Sequence, residues 1–165
     1  MNKKFLVGVI GATVLVLAAG VGLAAKMSSP AILSSSSSIS GGKVEVAQTN
    51  YDFGTVPING GKVERVYEVK NVGEEELKLS GMGTSCMCTT AQVVINGEKS
   101  PAFGMHDPSK WVGTVQPGET AEVVVIFDPA FHGPSGKGVI NRIIKFTTSD
   151  PNKREVELSL NGKVI

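Results

Sequence analysis

The chain has 165 residues, with 16 basic and 15 acidic side chains and a formal net charge of +1, so no electrostatic grip on nucleic acid is expected. With the first forty or so residues set aside, roughly 120 remain, enough for one packed core. Twenty glycines and eight prolines, with few long helix-forming stretches beyond the N-terminus, point to short strands joined by turns.

The N-terminus comes first. Lys3 and Lys4 precede an uncharged run from Phe5 to Ala25, and about 21 residues at ~1.5 Å rise make ~30 Å, the thickness of a hydrocarbon core. Residues 1–26 are therefore expected to form a single N-terminal transmembrane helix that anchors the chain. The leading lysines favour a cytoplasmic N-terminus, although Lys26 weakens the asymmetry, so the rest is expected to be extracytoplasmic, in a periplasm or at a cell surface. A cleaved signal peptide is the rival reading, because Gly22-Leu-Ala-Ala25 offers small residues for processing; against it, the apolar run exceeds the ~7–15 residues of a usual signal core. No cysteine follows that run closely, which excludes a lipid anchor on an N-terminal cysteine. Residues 27–42, with Ser34 to Ser38 and Gly41-Gly42, lack the apolar groups that would offset chain ordering and read as a flexible Ser/Gly-rich linker.

From Lys43 the hydrophobic period becomes two. Val44 and Val46, Tyr67 and Val69, Leu77 and Leu79, and Val156, Leu158 and Leu160 alternate with polar neighbours, as strands with one buried and one wet face require. The spacing predicts strands at 43–48, 63–71, 76–82, 86–95, 111–115, 120–128, 139–148 and 154–164. The run Val123-Val-Val-Ile-Phe127, the densest, reads as a more buried strand, opened by the turn Gln116-Pro-Gly-Glu119 and closed by Asp128-Pro129. Further turns fall at Ile58-Asn-Gly-Gly61, Asn96-Gly97, Gly133-Pro-Ser-Gly136 and Ser149-Asp-Pro-Asn152. This punctuation predicts that residues 43–165 form one all-β domain, an antiparallel immunoglobulin-like β-sandwich preceded by the transmembrane helix. A closed barrel fits less easily, given the long irregular stretch from Asn96 to Lys110.

Cys86 and Cys88, in Met82-Gly-Thr-Ser-Cys-Met-Cys-Thr-Thr90, are the chain's two cysteines. In an oxidising compartment such a pair survives as a disulfide or as metal ligands. In a regular strand residues two apart have Cα atoms ~6.8 Å apart and nearly parallel Cβ vectors, which disfavours a bridge; a bulge or tight bend would permit one, or would let both thiolates reach one metal ion. The remaining nitrogen and soft donors lie in expected loops: Met105 and His106 in Phe103-Gly-Met-His-Asp-Pro108, and His132 in Ala130-Phe-His-Gly-Pro134. Cys86, Cys88, Met105, His106 and His132 are the candidate metal set. Thiolate, thioether and imidazole suit copper best and zinc second, while the lack of clustered carboxylates argues against calcium or magnesium. The bland readings stand beside this one: buried free cysteines acting as small hydrophobes, or a structural disulfide. Phe103 and Trp111 read as lids on the sandwich edge, and Glu74-Glu-Glu76 as a solvated turn.

The order Tyr51-Asp-Phe-Gly-Thr-Val56, Tyr67-Glu-Val-Lys-Asn-Val-Gly73, Thr84-Ser-Cys-Met-Cys-Thr89, Gln116-Pro-Gly-Glu119, Phe127-Asp-Pro129 and Thr148-Ser-Asp-Pro151 resembles a bacterial family of exported domains of unknown function. Those domains commonly carry Ser-Cys-Gly-Cys-Thr and group with the Hydin-like, ASH-type immunoglobulin folds. The resemblance covers about residues 44–164 and implies the fold, with no activity attached. Here Met87 replaces the family's glycine, and roughly 15–20 extra residues lie between Ala91 and Gln116, a length at which loops often carry function.

Neither a nucleophile elbow, a phosphate-binding glycine loop, an HExxH run nor a CxxC pair occurs, so the chain is not expected to be an enzyme of the hydrolase or kinase kind. Three functions stay open: a membrane-tethered binding or structural module that meets another envelope protein, a copper-binding domain built on the cysteine pair, and a thiol–disulfide redox protein.

Overall fold

The computed structural model describes residues 41–106 and 110–165. The expected transmembrane helix at 1–26, and all of the expected linker except Gly41 and Gly42, lie outside the described residues. Among the described residues no helix is long and apolar enough to cross a membrane.

Among the described residues there are ten strands: β1 (Val44–Glu45), β2 (Asn50–Val56), β3 (Val63–Asn71), β4 (Leu77–Thr84), β5 (Thr89–Ile95), β6 (Glu98–Lys99), β7 (Val112–Val115), β8 (Thr120–Phe127), β9 (Gly138–Thr148) and β10 (Glu155–Val164). They make two five-stranded sheets, in the orders β1-β3-β8-β5-β6 and β2-β10-β9-β4-β7. One core lies between them, filled from both sides by alternate residues such as Val123 and Val125 of β8 and Leu158 and Leu160 of β10. An all-β fold of two sheets around a shared core is consistent with an immunoglobulin-like sandwich.

In β8, read from its apolar run as a buried strand, only one face is fully buried. Ala121, Val123, Val125 and Phe127 point inward and are buried, whereas Val124 and Ile126 on the opposite face are half-buried. The strand needs its apolar run because β3 and β5 flank it on both sides. Tyr67 of β3 ties the sheets together, donating its hydroxyl to the Ser159 carbonyl of β10 at 2.8 Å. Burial of that phenol raises its pKa to about 12, against a weaker lowering by Arg65, so it stays a donor at any ordinary pH.

Several expectations need correction. The sheets are not wholly antiparallel: β2 pairs with β10 in parallel, with Ser159 opposite Asn50 and Val164 opposite Val56. The strand β2 was not predicted, because Gly54, at φ +66°, breaks its alternation and its residues alternate only between exposed and half-buried before Val56. The two-residue β6 was also missed; it is the return arm of the turn at Asn96-Gly97, where both residues have positive φ. The predicted strand 86–95 begins only at Thr89, which frees both cysteines from strand geometry. Phe103 does lie along the sheet edge, exchanging two backbone hydrogen bonds with Ala91 of β5 (2.8 and 2.9 Å), but its side chain is buried in the core and is not a surface lid. The half-buried Trp111 packs on it at 5.5 Å between ring centroids.

Among the described residues, four connections cross from one sheet to the other near the end of β8: 85–88 between β4 and β5, the described part of the β6–β7 connection, 128–137 between β8 and β9, and 57–62 between β2 and β3. A bulge in β4, with Gly81 at φ +61° and the register shifting between Ser80 and Gly83, turns the strand toward the first of these crossings.

Candidate functional site

The crossing from β4 to β5 is a tight turn held by backbone and hydroxyl groups. The Thr89 N–H donates to the Cys86 carbonyl at 3.1 Å, closing a four-residue turn from Cys86 to Thr89. The Thr84 hydroxyl sits between the Cys86 and Thr89 carbonyls, at 3.0 and 2.9 Å. Ser85 is fastened to β9 by its N–H to the Ile143 carbonyl (2.8 Å) and by its hydroxyl, which accepts from the Ile143 N–H (2.9 Å). The Cys88 carbonyl accepts from the Asp128 N–H at 2.8 Å. This bend brings the cysteine Cα atoms to 5.3 Å, and the two sulfurs are joined as a disulfide. Of the alternatives the sequence left open, the described form is the disulfide across a bend. Cys88 is 3% exposed and belongs to the core cluster, Cys86 is half-buried, and Met87 between them is 57% exposed.

The crossing from β8 to β9 supplies the imidazole. Asp128 starts the loop by accepting from the Ala130 N–H at 3.0 Å, and a 3₁₀ turn at Gly133–Gly136 carries it on to β9. The Ser135 hydroxyl donates to the His132 carbonyl at 2.7 Å. Gly136 belongs there, because a Cβ on it would lie 3.2 Å from the His132 Cβ. The result places His132 Nε2 3.4 Å from Cys86 Sγ, with the Phe131 ring edge-on to the imidazole at 5.0 Å. Both ring residues are exposed.

On the buried side of the disulfide stands Arg142 of β9. Its Nε donates to Cys88 Sγ at 3.1 Å and an Nη to the Asn141 carbonyl at 2.9 Å, and its guanidinium lies 5.8 Å from the Phe127 ring centroid. Burial pulls its pKa below the ordinary arginine value, and it remains a cation at neutral pH. The Thr89 hydroxyl adds a longer contact to Cys88 Sγ at 3.7 Å.

Of the five residues in the sequence-derived set, Cys86, Cys88 and His132 come together, with the two sulfurs and an imidazole nitrogen all within 4.8 Å of one another. His106 is outside that group. Met105 and His106 are exposed, directly after Gly104, whose carbonyl accepts from the Thr84 N–H at 3.2 Å and so brings their loop to the same end of the sandwich. Sequence reasoning missed Arg142, although the signal was present: it falls in step with the buried Ile140, Ile144 and Phe146 of β9, a position where a cation needs a reason.

Fold and site together define a β-sandwich domain displaying a Cys-x-Cys disulfide at one end. Residues 44–102, which contain the cysteine pair, match the family described as "Protein of unknown function (DUF1573)". Among solved structures, the chain is similar to a protein of unknown function from Porphyromonas gingivalis W83, at 20% identity and a TM-score of 0.56, over 74% of this chain and 46% of that one. This chain thus spans less than half the length of that protein. It is also similar to the ASH/PapD-like domain 7 of human CEP192, at 19% identity and a TM-score of 0.48, over 84% of this chain and 96% of that one. The YadV chaperone follows at 9% identity and a TM-score of 0.44, over 73% of this chain and 51% of that one. No curated protein matches.

Proposed function

We propose that this protein is an extracytoplasmic binding module, held at a membrane by residues 1–26, whose contact end is the Cys86–Cys88 turn. The uncharged run Phe5 to Ala25 behind two lysines, followed by the serine-rich stretch, supports the tether. Met87 and Phe131, 57% and 47% exposed beside the sulfurs and the imidazole, support a face that meets an envelope partner.

Once its disulfide is reduced, this end takes a soft cation, Cu(I) ahead of zinc. The observation that carries this reading is the closeness of Cys86 Sγ, Cys88 Sγ and His132 Nε2, within 4.8 Å of one another on two separate crossings. Two thiolates and an imidazole are soft and borderline donors, which select Cu(I) and zinc over calcium or magnesium. A structural zinc site needs a fourth protein ligand, for which Met105 and His106 on the neighbouring loop are the sequence-derived donors.

The test is a Cu(I) titration of the reduced full-length protein in detergent against a chromophoric Cu(I) chelator. One bound equivalent is expected, abolished by Cys88→Ser and weakened roughly tenfold or more by His132→Ala. No uptake by the reduced native protein would end the metal reading.

A further inference from the structure

Metal binding by Cys86, Cys88 and His132 makes no use of Arg142. A disulfide sulfur is uncharged and a weak acceptor, so a half-buried guanidinium at 3.1 Å from Cys88 Sγ is poorly matched to the oxidised pair. A thiolate at the same place would give that cation a full opposite charge, and a neighbouring arginine favours the thiolate form of a sulfur. The two sulfurs also differ in access. Cys88 is 3% exposed and packed into the core, while Cys86 is half-buried beside an exposed imidazole.

We propose that the pair is a thiol–disulfide exchange site: Cys86 is the sulfur attacked by a partner dithiol, and Cys88 leaves as a thiolate held by Arg142. The partner is a protein presenting two accessible thiols. Its first thiol, its proton lost to solvent, attacks Cys86 Sγ as a thiolate. The Cys86–Cys88 bond breaks, its electron pair going to Cys88, which stays ionised against Arg142. The partner's second thiol, its proton lost to solvent, attacks its own first sulfur in the mixed disulfide. Cys86 is expelled with the electron pair and takes one proton from solvent. Two electrons pass to this protein, the partner is oxidised to a disulfide, and one proton is released. Run backwards, the same steps oxidise the pair. Bound metal plays no part in any of them, so the activity stands apart from copper uptake.

The experiment uses the full-length protein in detergent, in metal-free buffer containing a chelator, so that failure to bind copper has no bearing on it. Dithiothreitol is the probe, and the fraction reduced is read by alkylation and mass after an acid quench. Arg142→Gln is expected to slow reduction about tenfold at neutral pH, with Arg142→Lys recovering most of the rate. In the single-cysteine variants, Cys86 in Cys88→Ser is expected to form a mixed disulfide with oxidised glutathione at least tenfold faster than Cys88 in Cys86→Ser. Reduction of Arg142→Gln at the wild-type rate would overturn the proposal. Should that variant not fold, the cysteine comparison decides: faster reaction at Cys88 overturns it, faster reaction at Cys86 supports it.

Discussion

Both ends of this sandwich bury polar side chains against loop backbone, yet the groups they gather differ. At the end where β8 starts, Asn71 is fully buried and every bonding position of its amide is filled by backbone. Its Oδ1 accepts from the Lys43 and Gly73 N–H groups (3.1 and 3.0 Å), and its Nδ2 donates to the Glu75 and Val115 carbonyls (2.8 and 2.9 Å). Beside it, the Asp150 carboxylate accepts from the N–H groups of Val44 (3.0 Å) and Asn152 (2.8 Å). At the end where β8 finishes, the backbone is equally well held by Thr84 and Ser85, but the groups gathered there are two sulfurs, an exposed imidazole and a guanidinium. A buried polar group whose partners all suit the state in hand is structure. Arg142 faces a sulfur that would suit it better after a chemical change, and that mismatch points to function.

The comparison breaks hardest at Asn71. Asn71→Ala would strand two N–H groups and two carbonyls in a buried setting, and at ~1 kcal/mol or more each the expected loss is about 3–5 kcal/mol. Urea denaturation of the purified protein measures it. A loss under ~1 kcal/mol would mean that water replaces the amide at little cost, and the end would not be the rigid one.

Asp150 gives a smaller, pH-dependent effect. Burial pushes its carboxyl up, but hydrogen bonds from the backbone of Val44, Asn152 and Lys153, with the charge of Lys43, outweigh that and hold its pKa below the ordinary value. The folded state therefore binds this proton less readily than the unfolded chain. Its stabilisation is complete above the unfolded value of ~3.9 and drains away as pH falls through the lower folded value. Asp150→Asn should cost about 1–2 kcal/mol at neutral pH, after allowing for solvent screening of the ionic part. The gap between variant and wild type should close at the acid end of a series of urea midpoints. A gap that is constant with pH would assign the effect to packing instead of charge.

How much of this was legible in the sequence differs between the two ends. Period-two runs such as Tyr67 and Val69 or Val156 to Leu160 carry the sheets because a half-buried strand imposes that pattern on its own residues. The parallel β2–β10 pair was not legible, because partner and direction are set by the path of the chain between sheets and not by any local period. The cysteine pair declared itself by residue type. His132 reaches Cys86 across 46 positions only because two sheet crossings meet, which no spacing rule encodes. Asn71 was visible only as part of the resemblance-carrying run Tyr67 to Gly73, and its four partners come from three separate segments of the chain.

The smallest effect on stability is expected where the covalent bond is. A cross-link stabilises chiefly by limiting the unfolded chain, and a loop of three residues is limited very little: roughly 1.6 kcal/mol in the chain-entropy picture, against ~4.7 for a hundred-residue loop. The double variant Cys86→Ser, Cys88→Ala should therefore lose no more than about 1.6 kcal/mol in urea denaturation, well short of Asn71→Ala, while losing all exchange with dithiothreitol. Should its loss match that of Asn71→Ala, the disulfide would be a structural staple. The cysteine end would then be the same kind of closure as its opposite, with Arg142 serving only to fill it.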